Sequence, residues 1–210
     1  MPAVNFALLW PEFLVTALAF IVFGADLMMK PKQRDSTAVI AAVGLVVILL
    51  FTVSYMWNRT GDLYGGMVHV DRYALFFKAF FLILGVVVIA CSTQFVGKYL
   101  SHPGEYYGIL LFSIVGMMLM AASGELLTAY ISLELLSFSL YILASYARDN
   151  PKSNEAGMKY VLLGAFSSAL LLYGISMVYG VASSTMFKDI AATLQKLLGK
   201  KDASIAEGVA

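Results

Sequence analysis

Residues 126–160 read LLTAYISLELLSFSLYILASYARDNPKSNEAGMKY, and this stretch decides the fold. Its first part, Leu126 to Ala147, is an apolar run with one charged residue, the carboxylate Glu134. A charged loop follows, with Arg148, Asp149, Lys152 and Glu155, and then Lys159 stands at the mouth of the next apolar run. A run of about 20 mostly apolar residues is long enough to cross a bilayer as a helix. A charged side chain at the centre of such a helix costs roughly 2.5–3.5 kcal/mol on insertion scales, so it faces a partner, a cavity or an ion path.

The rest of the chain repeats the pattern. Of its 210 residues 60% are hydrophobic and 13% charged, against about 25% charged in a soluble domain, which places it in the membrane class. Six spans are expected, at about 8–29, 37–57, 73–96, 106–122, 126–147 and 156–182, making residues 1–182 a six-helix transmembrane region. Pro11 suits a first helical turn, and Glu12 suits the positive end of the helix dipole. Asn58 to Arg72 reads as a loose, glycine-containing loop, and Pro103 marks the break before the fourth span. The short connector at Ser123-Gly124 makes the fourth and fifth helices antiparallel neighbours. Residues 183–210 form a tail. In it Phe187, Ile190, Leu194 and Leu197 recur at helical spacing, with Lys188, Lys196 and Lys200 off that face, as in an amphipathic helix lying on a surface. The expected fold is thus an all-α polytopic membrane protein of six transmembrane helices plus a C-terminal amphipathic helix.

Several function classes drop out. The net charge of +1 offers no basic surface for nucleic acid, and the single cysteine, Cys91, excludes an internal disulfide and a multi-cysteine iron–sulfur or zinc site. His69 and His102, both in expected loops, make no metal cluster. No nucleotide-binding loop, nucleophile–base set or redox ligand set is present, so no cofactor or metal is expected on this chain. The segment before the first apolar run lacks the basic residues of a signal peptide, so that run is expected to be a retained span. Connectors one, three and five carry Lys30, Lys32, Arg34, Lys98, Arg148 and Lys152, whereas two and four carry only Arg59 and Arg72. The positive-inside rule then puts the N-terminus outside, although the basic tail falls on the outer side against the rule.

Depth sorts the ionisable groups. At 1.5 Å rise per residue Glu134 lies roughly 12 Å from the outer end of its helix and about 20 Å from the inner end. It reads as a protonatable station on an ion path, with a structural carboxylate paired to a neighbouring helix as the alternative. Lys159 lies about 5 Å inside its helix by the same rise, roughly 15 Å in depth from Glu134, too far for a direct ion pair. On the residues alone it snorkels to the interface. Lys78, about 8 Å inside the third helix, is read the same way, with a secondary intramembrane role as the alternative. Asp26 is expected to pair with Lys30 four residues on, with a secondary intramembrane role as the alternative, and Glu125 to serve the dipole of the helix it begins.

Residues 132–174, SLELLSFSLYILASYARDNPKSNEAGMKYVLLGAFSSALLLYG, closely resemble the subunit N (subunit 2) family of proton-pumping NADH-quinone oxidoreductase, respiratory complex I. Residues 8–28, LLWPEFLVTALAFIVFGADLM, and 70–85, VDRYALFFKAFFLILG, support the match, which runs in register to about Gly180. The serine-rich ELLSFSLYIL is closer to subunit N than to its paralogues M and L or to the multisubunit sodium/proton antiporters. The resemblance implies a fourteen-helix, antiporter-like protein with two inverted five-helix repeats. Glu134 matches the family's fifth-helix glutamate, proposed to gate proton entry by pairing with a seventh-helix lysine. Lys159 matches a sixth-helix lysine on the same hydrated path, which reverses its reading from the residues alone. The seventh-helix lysine, the broken helix, the central lysine of the eighth helix and the second repeat have no counterpart here, so the expected bundle is incomplete and the chain reads as an N-terminal fragment. The implied function is a non-redox, proton-translocating subunit in a bacterial inner membrane, beside other membrane subunits of a complex that uses NADH, flavin, iron–sulfur clusters and a quinone elsewhere. The alternatives are a subunit of a sodium/proton antiporter or of a hydrogenase- or ferredoxin-linked relative, and a purely structural membrane subunit.

Overall fold

The computed structural model describes residues 6–29, 36–100 and 102–207, with side chains to residue 198. A 3-10 turn, Phe6–Leu9, leads into α1 (Trp10–Met28), followed by α2 (Ser36–Phe51), α3 (Arg72–Tyr99), α4 (Pro103–Ala121), α5 (Leu126–Ala144), α6 (Pro151–Ala182) and α7 (Phe187–Glu207). α2 runs on as a π-helical turn, Thr52–Met56. Six helical stretches, all but α7, are long and apolar enough to cross a membrane. The fold is therefore that of a multi-pass membrane protein with a C-terminal amphipathic helix.

Local sequence sets the helix ends. Asp71 precedes α3 and its carboxylate accepts the Ala74 N–H at 2.7 Å, satisfying a donor that the first turn leaves orphaned. Asn150 accepts the Lys152 N–H at 3.0 Å and Pro151 fills the first helical position, so α6 begins at Pro151 and not near Ala156. Those five residues, 151–155, include Lys152 and Glu155, which helical caps admit and hydropathy does not.

α4 is the centre of the bundle. It packs on α1, α2, α3 and α5, while α6 packs chiefly on α5 and, at its far end, on α7. Val15, Val22, Leu45, Leu82, Leu111, Ile114 and Met118 are buried between the first four helices. The α4–α5 contact is close because Gly116 has no side chain: a Cβ there would lie 2.8 Å from the Leu136 nitrogen and 2.9 Å from the Ser132 carbonyl oxygen. Small residues at such crossings let backbones approach in lipid, where no hydrophobic force drives helices together.

Residues 58–71, expected as a loose loop, contain a hairpin. β1 (Gly61–Leu63) and β2 (Val68–Val70) pair antiparallel, Asp62 opposite His69, around a turn in which Tyr64, Gly65 and Gly66 have positive φ. The hairpin is stitched to the α4–α5 connector by His69 N–H to Ala122 C=O and Gly124 N–H to Met67 C=O, both 2.7 Å. That connector is in turn bonded to the α6–α7 loop by Leu126 N–H to Thr185 C=O at 3.0 Å and Phe187 N–H to Gly124 C=O at 3.2 Å. Two connectors and the hairpin thus close one end of the bundle with backbone hydrogen bonds. Gly124 is required here, since a Cβ would come 2.0 Å from the Gly66 carbonyl oxygen.

Candidate functional site

Glu134 sits in the middle of α5, a helix with no other charged residue. Its Oε1 is buried and has no hydrogen-bond partner among the described residues. Two serines of the same helix bond to backbone instead: Ser132 donates to the Thr128 carbonyl at 2.7 Å and Ser139 to the Leu135 carbonyl at 2.8 Å. Serine in an apolar helix satisfies itself on the preceding turn when nothing better is in reach. Tyr130, one turn earlier on the same face, is the phenol that interacts with the Glu134 carboxylate. The site is thus a mid-helix acid with one neutral partner and one unsatisfied oxygen.

Lys159 does not meet Glu134. It lies on the exposed side of α6 and pairs with Glu155, one turn back. An i, i+4 Glu–Lys pair at an exposed position contributes only a few tenths of a kcal/mol, so this contact leaves the lysine available to other partners.

The expectations for Lys78 and Glu12 are corrected. Lys78 does not snorkel: its side chain is 0% exposed, and its Nζ lies 2.7 Å from Oε1 of Glu12. Glu12, read as a dipole partner, is the buried counter-ion. Its place at the start of α1 puts a carboxylate opposite the second turn of α3, so the ammonium has no need of the interface. Asp26 is buried as well, at 1% exposure. Lys30, its expected partner, lies outside the described residues. The Asp26 carboxylate accepts the Gly104 N–H at 3.2 Å and lies 3.5 Å from Nδ1 of His102. It therefore anchors the N-terminus of α4, where orphaned N–H groups and the helix dipole both favour an anion. Sequence could have signalled this: a glycine just after Pro103 marks a place where another element comes close.

Glu125 precedes α5 as expected, but its carboxylate accepts hydroxyls, not backbone amides. Thr128 donates at 2.8 Å and Thr185 at 2.7 Å. The acids of α1 and the α4–α5 connector are thus each engaged by a cation, an amide or hydroxyls, and Glu134 has only a phenol.

Among the described residues no three His, Cys, Asp or Glu side chains converge to hold a metal ion, and Cys91 is exposed on α3.

A family model described as NADH:quinone oxidoreductase/Mrp antiporter, TM matches residues 123–209. Over 98% of its length the chain is 36% identical to NADH-quinone oxidoreductase subunit N of Trichlorobacter lovleyi, covering 42% of that protein. It is 37% identical over 92% of its length to the subunit N of Desulfitobacterium hafniense, covering 39%, and 40% identical over 89% to that of Moorella thermoacetica, also covering 39%. The chain spans about two-fifths of the length of the curated relatives it matches. Its fold superimposes on a chain of respiratory complex I from Thermus thermophilus with a TM-score of 0.67 at 24% identity, over 84% of this chain and 38% of that one. It matches a chain of the archaeal membrane-bound sulfane sulfur reductase with a TM-score of 0.68 at 21% identity, over 89% and 39%. With a sequence match along nearly all of its residues, the chain is similar to NADH-quinone oxidoreductase subunit N over about two-fifths of that protein's length.

Proposed function

We propose that this chain forms part of a non-redox, proton-translocating membrane subunit of a bacterial NADH-quinone oxidoreductase. The observation that carries the reading is Glu134, a mid-span carboxylate with a buried oxygen that no described group satisfies. An ionisable group at mid-span faces a partner, a cavity or an ion path, and the ion path is the role proposed for it. Electrons would pass from NADH to quinone through flavin and iron–sulfur clusters on other subunits. This chain would contribute protonation changes at Glu134, with Lys159 as a second station facing the open side of α6. Other membrane subunits of the complex and the lipid bilayer are its partners. The excess of Lys and Arg on connectors one, three and five supports an N-terminus on the outer face of the cell membrane.

The test is Glu134→Gln, with Glu134→Asp as the conservative control, in the full-length subunit assembled in its complex. Proton uptake per NADH oxidised is expected to fall by roughly tenfold or more in E134Q, general acid–base groups contributing on the order of 10²–10⁴, and to recover in part in E134D. Unchanged pumping with normal assembly leaves a purely structural subunit as the better reading. A second reading, a sodium/proton antiporter subunit, is favoured by the Mrp antiporters that share the matched family model. Loss of transport on removing sodium would select it.

A further inference from the structure

A cavity of about 530 Å³ opens far from Glu134, where α3 and α5 end and α4 begins. Its polar wall is built from Glu105 at the start of α4 and Tyr146, Arg148 and Asp149 of the α5–α6 loop, and its apolar rim from Phe95 and Tyr99 in the last turns of α3. The Tyr146 hydroxyl lies 2.8 Å from the His102 carbonyl oxygen and 3.0 Å from Oε2 of Glu105, which ties the loop to α4. Burial and the neighbouring Glu105 carboxylate push the Tyr146 phenol well above its ordinary range, so it stays a proton donor. Neither the proton chemistry at Glu134 nor the helix packing needs this arrangement.

We propose that the cavity binds the headgroup of a phospholipid bearing a primary ammonium, of the phosphatidylethanolamine type, with its phosphate on Arg148 and its ammonium on Asp149 and Glu105. Its position at the ends of three membrane helices is the level at which headgroups lie. Phe95 and Tyr99 are 53% and 60% exposed there, as amphipathic rings are at the boundary between acyl chains and water. Charge selects the headgroup. The wall offers the Arg148 guanidinium against two carboxylates, its one imidazole, His102, lying 3.5 Å from a third carboxylate, Asp26, with Lys98 just outside it over the Tyr99 ring. A purely anionic headgroup would meet both carboxylates without a cation of its own. A quaternary ammonium has no N–H to donate to them, whereas a primary ammonium has three and forms the stronger, charge-assisted bonds. Arg148 can be recruited, because its contact with Glu105 is long, 3.6 Å, and its side chain is 81% exposed. Such surface pairs are weak.

The experiment uses the 210-residue chain purified in detergent, titrated separately with palmitoyl-oleoyl phosphatidylethanolamine, phosphatidylcholine and phosphatidylglycerol, with bound lipid counted by native mass spectrometry. One phosphatidylethanolamine is expected to bind about tenfold more tightly than either other lipid, as one or two charge-assisted hydrogen bonds allow. Arg148→Gln is expected to lower that affinity about tenfold, and Asp149→Asn to remove the preference over phosphatidylcholine. Both side chains are exposed, so an unchanged unfolding temperature accompanies these losses. Equal retention of the three lipids, tighter binding of phosphatidylglycerol, or phosphatidylethanolamine binding unaffected by R148Q overturns the proposal.

Discussion

Replacing Lys78 by methionine tests the buried pair that joins α1 to α3. The Nζ–Oε1 separation is 2.7 Å and the side chains are 0% and 4% exposed. At an effective dielectric of about 20 the attraction at this distance is roughly 6 kcal/mol, and about 1.5 kcal/mol in water. Against it stands a desolvation cost of several kcal/mol for each ion. The intact pair therefore comes out near zero relative to two apolar side chains of the same shape. One charge alone is another matter. K78M leaves the Glu12 carboxylate buried without its cation, and E12Q leaves the ammonium without its anion, each at a cost of about 3–5 kcal/mol. For a chain of this size that is a fall in Tm on the order of 10 °C. The double variant E12Q/K78M removes both charges and is expected to recover most of the loss. Thermal unfolding of the four proteins in one detergent, followed by circular dichroism, reads the cycle. A lysine that merely snorkels predicts a K78M variant as stable as the parent. Single variants within about 0.5 kcal/mol of the parent, the range of ordinary surface substitutions, or a double variant no better than the worse single, would refute the coupling.

Other expected outcomes follow from single contacts. Gly116→Val should separate α4 from α5, because a Cβ meets backbone at 2.8 and 2.9 Å. Such overpacking costs about 1–3 kcal/mol, read as a lower unfolding temperature and as faster amide exchange at Leu136. Gly124→Ala should detach the hairpin from the α4–α5 connector, given the 2.0 Å approach to Gly66, and protease nicking between Gly61 and Val70 should report it. The His69 hydrogen bond holds the Asp62 carboxyl below its usual range, more than partial burial raises it. Its folded pKa being lowered, the contribution is present above the ordinary carboxylate pKa and lost as the pH falls through the lowered value. Protection factors of the hairpin amides, taken against their intrinsic exchange rates, should therefore fall as the pH drops below about 4, and Asp62→Asn should flatten that dependence. Because both side chains are about half exposed, the effect is small and screened by salt.

Sequence disclosed what depends on long runs and on rare residues. Six spans and an amphipathic tail follow from apolar length and helical spacing, and Glu134 stands out because it is the single charge of its helix. The hairpin escaped because its strands are three residues each, too short for alternation in Val68-His69-Val70 to register. It exists because residues 67–69 bond to the α4–α5 connector, a contact no local pattern records. Lys78 was misread for a related reason. The helical rise tells how far a lysine lies from the interface but not what faces it, and its counter-ion stands 66 positions earlier. Asp26 shows the same limit: Gly104, whose N–H it accepts, stands 78 positions later.

The distribution of charge within the bundle carries a further consequence. Glu12, Lys78 and Asp26 lie among α1, α3 and α4, and each is held by a group from another helix. These groups fix the geometry of the bundle, since moving any of these helices exposes an ion to lipid. Glu134 and Lys159 lie on α5 and α6, where burial is least, and their contacts come from their own helices: Tyr130 one turn before the acid, Glu155 one turn before the lysine. A group bound only within its own helix can exchange partners without moving that helix. α4, packed closely on α5 at Gly116, holds the helix that carries Glu134, and in the proposed role its carboxylate would change proton and partner without moving that helix. A carboxylate that had to break a contact such as Glu12–Lys78 would pay several kcal/mol at every turnover. In the proposed function, that difference, more than depth alone, is what would suit Glu134 rather than Glu12 to proton traffic.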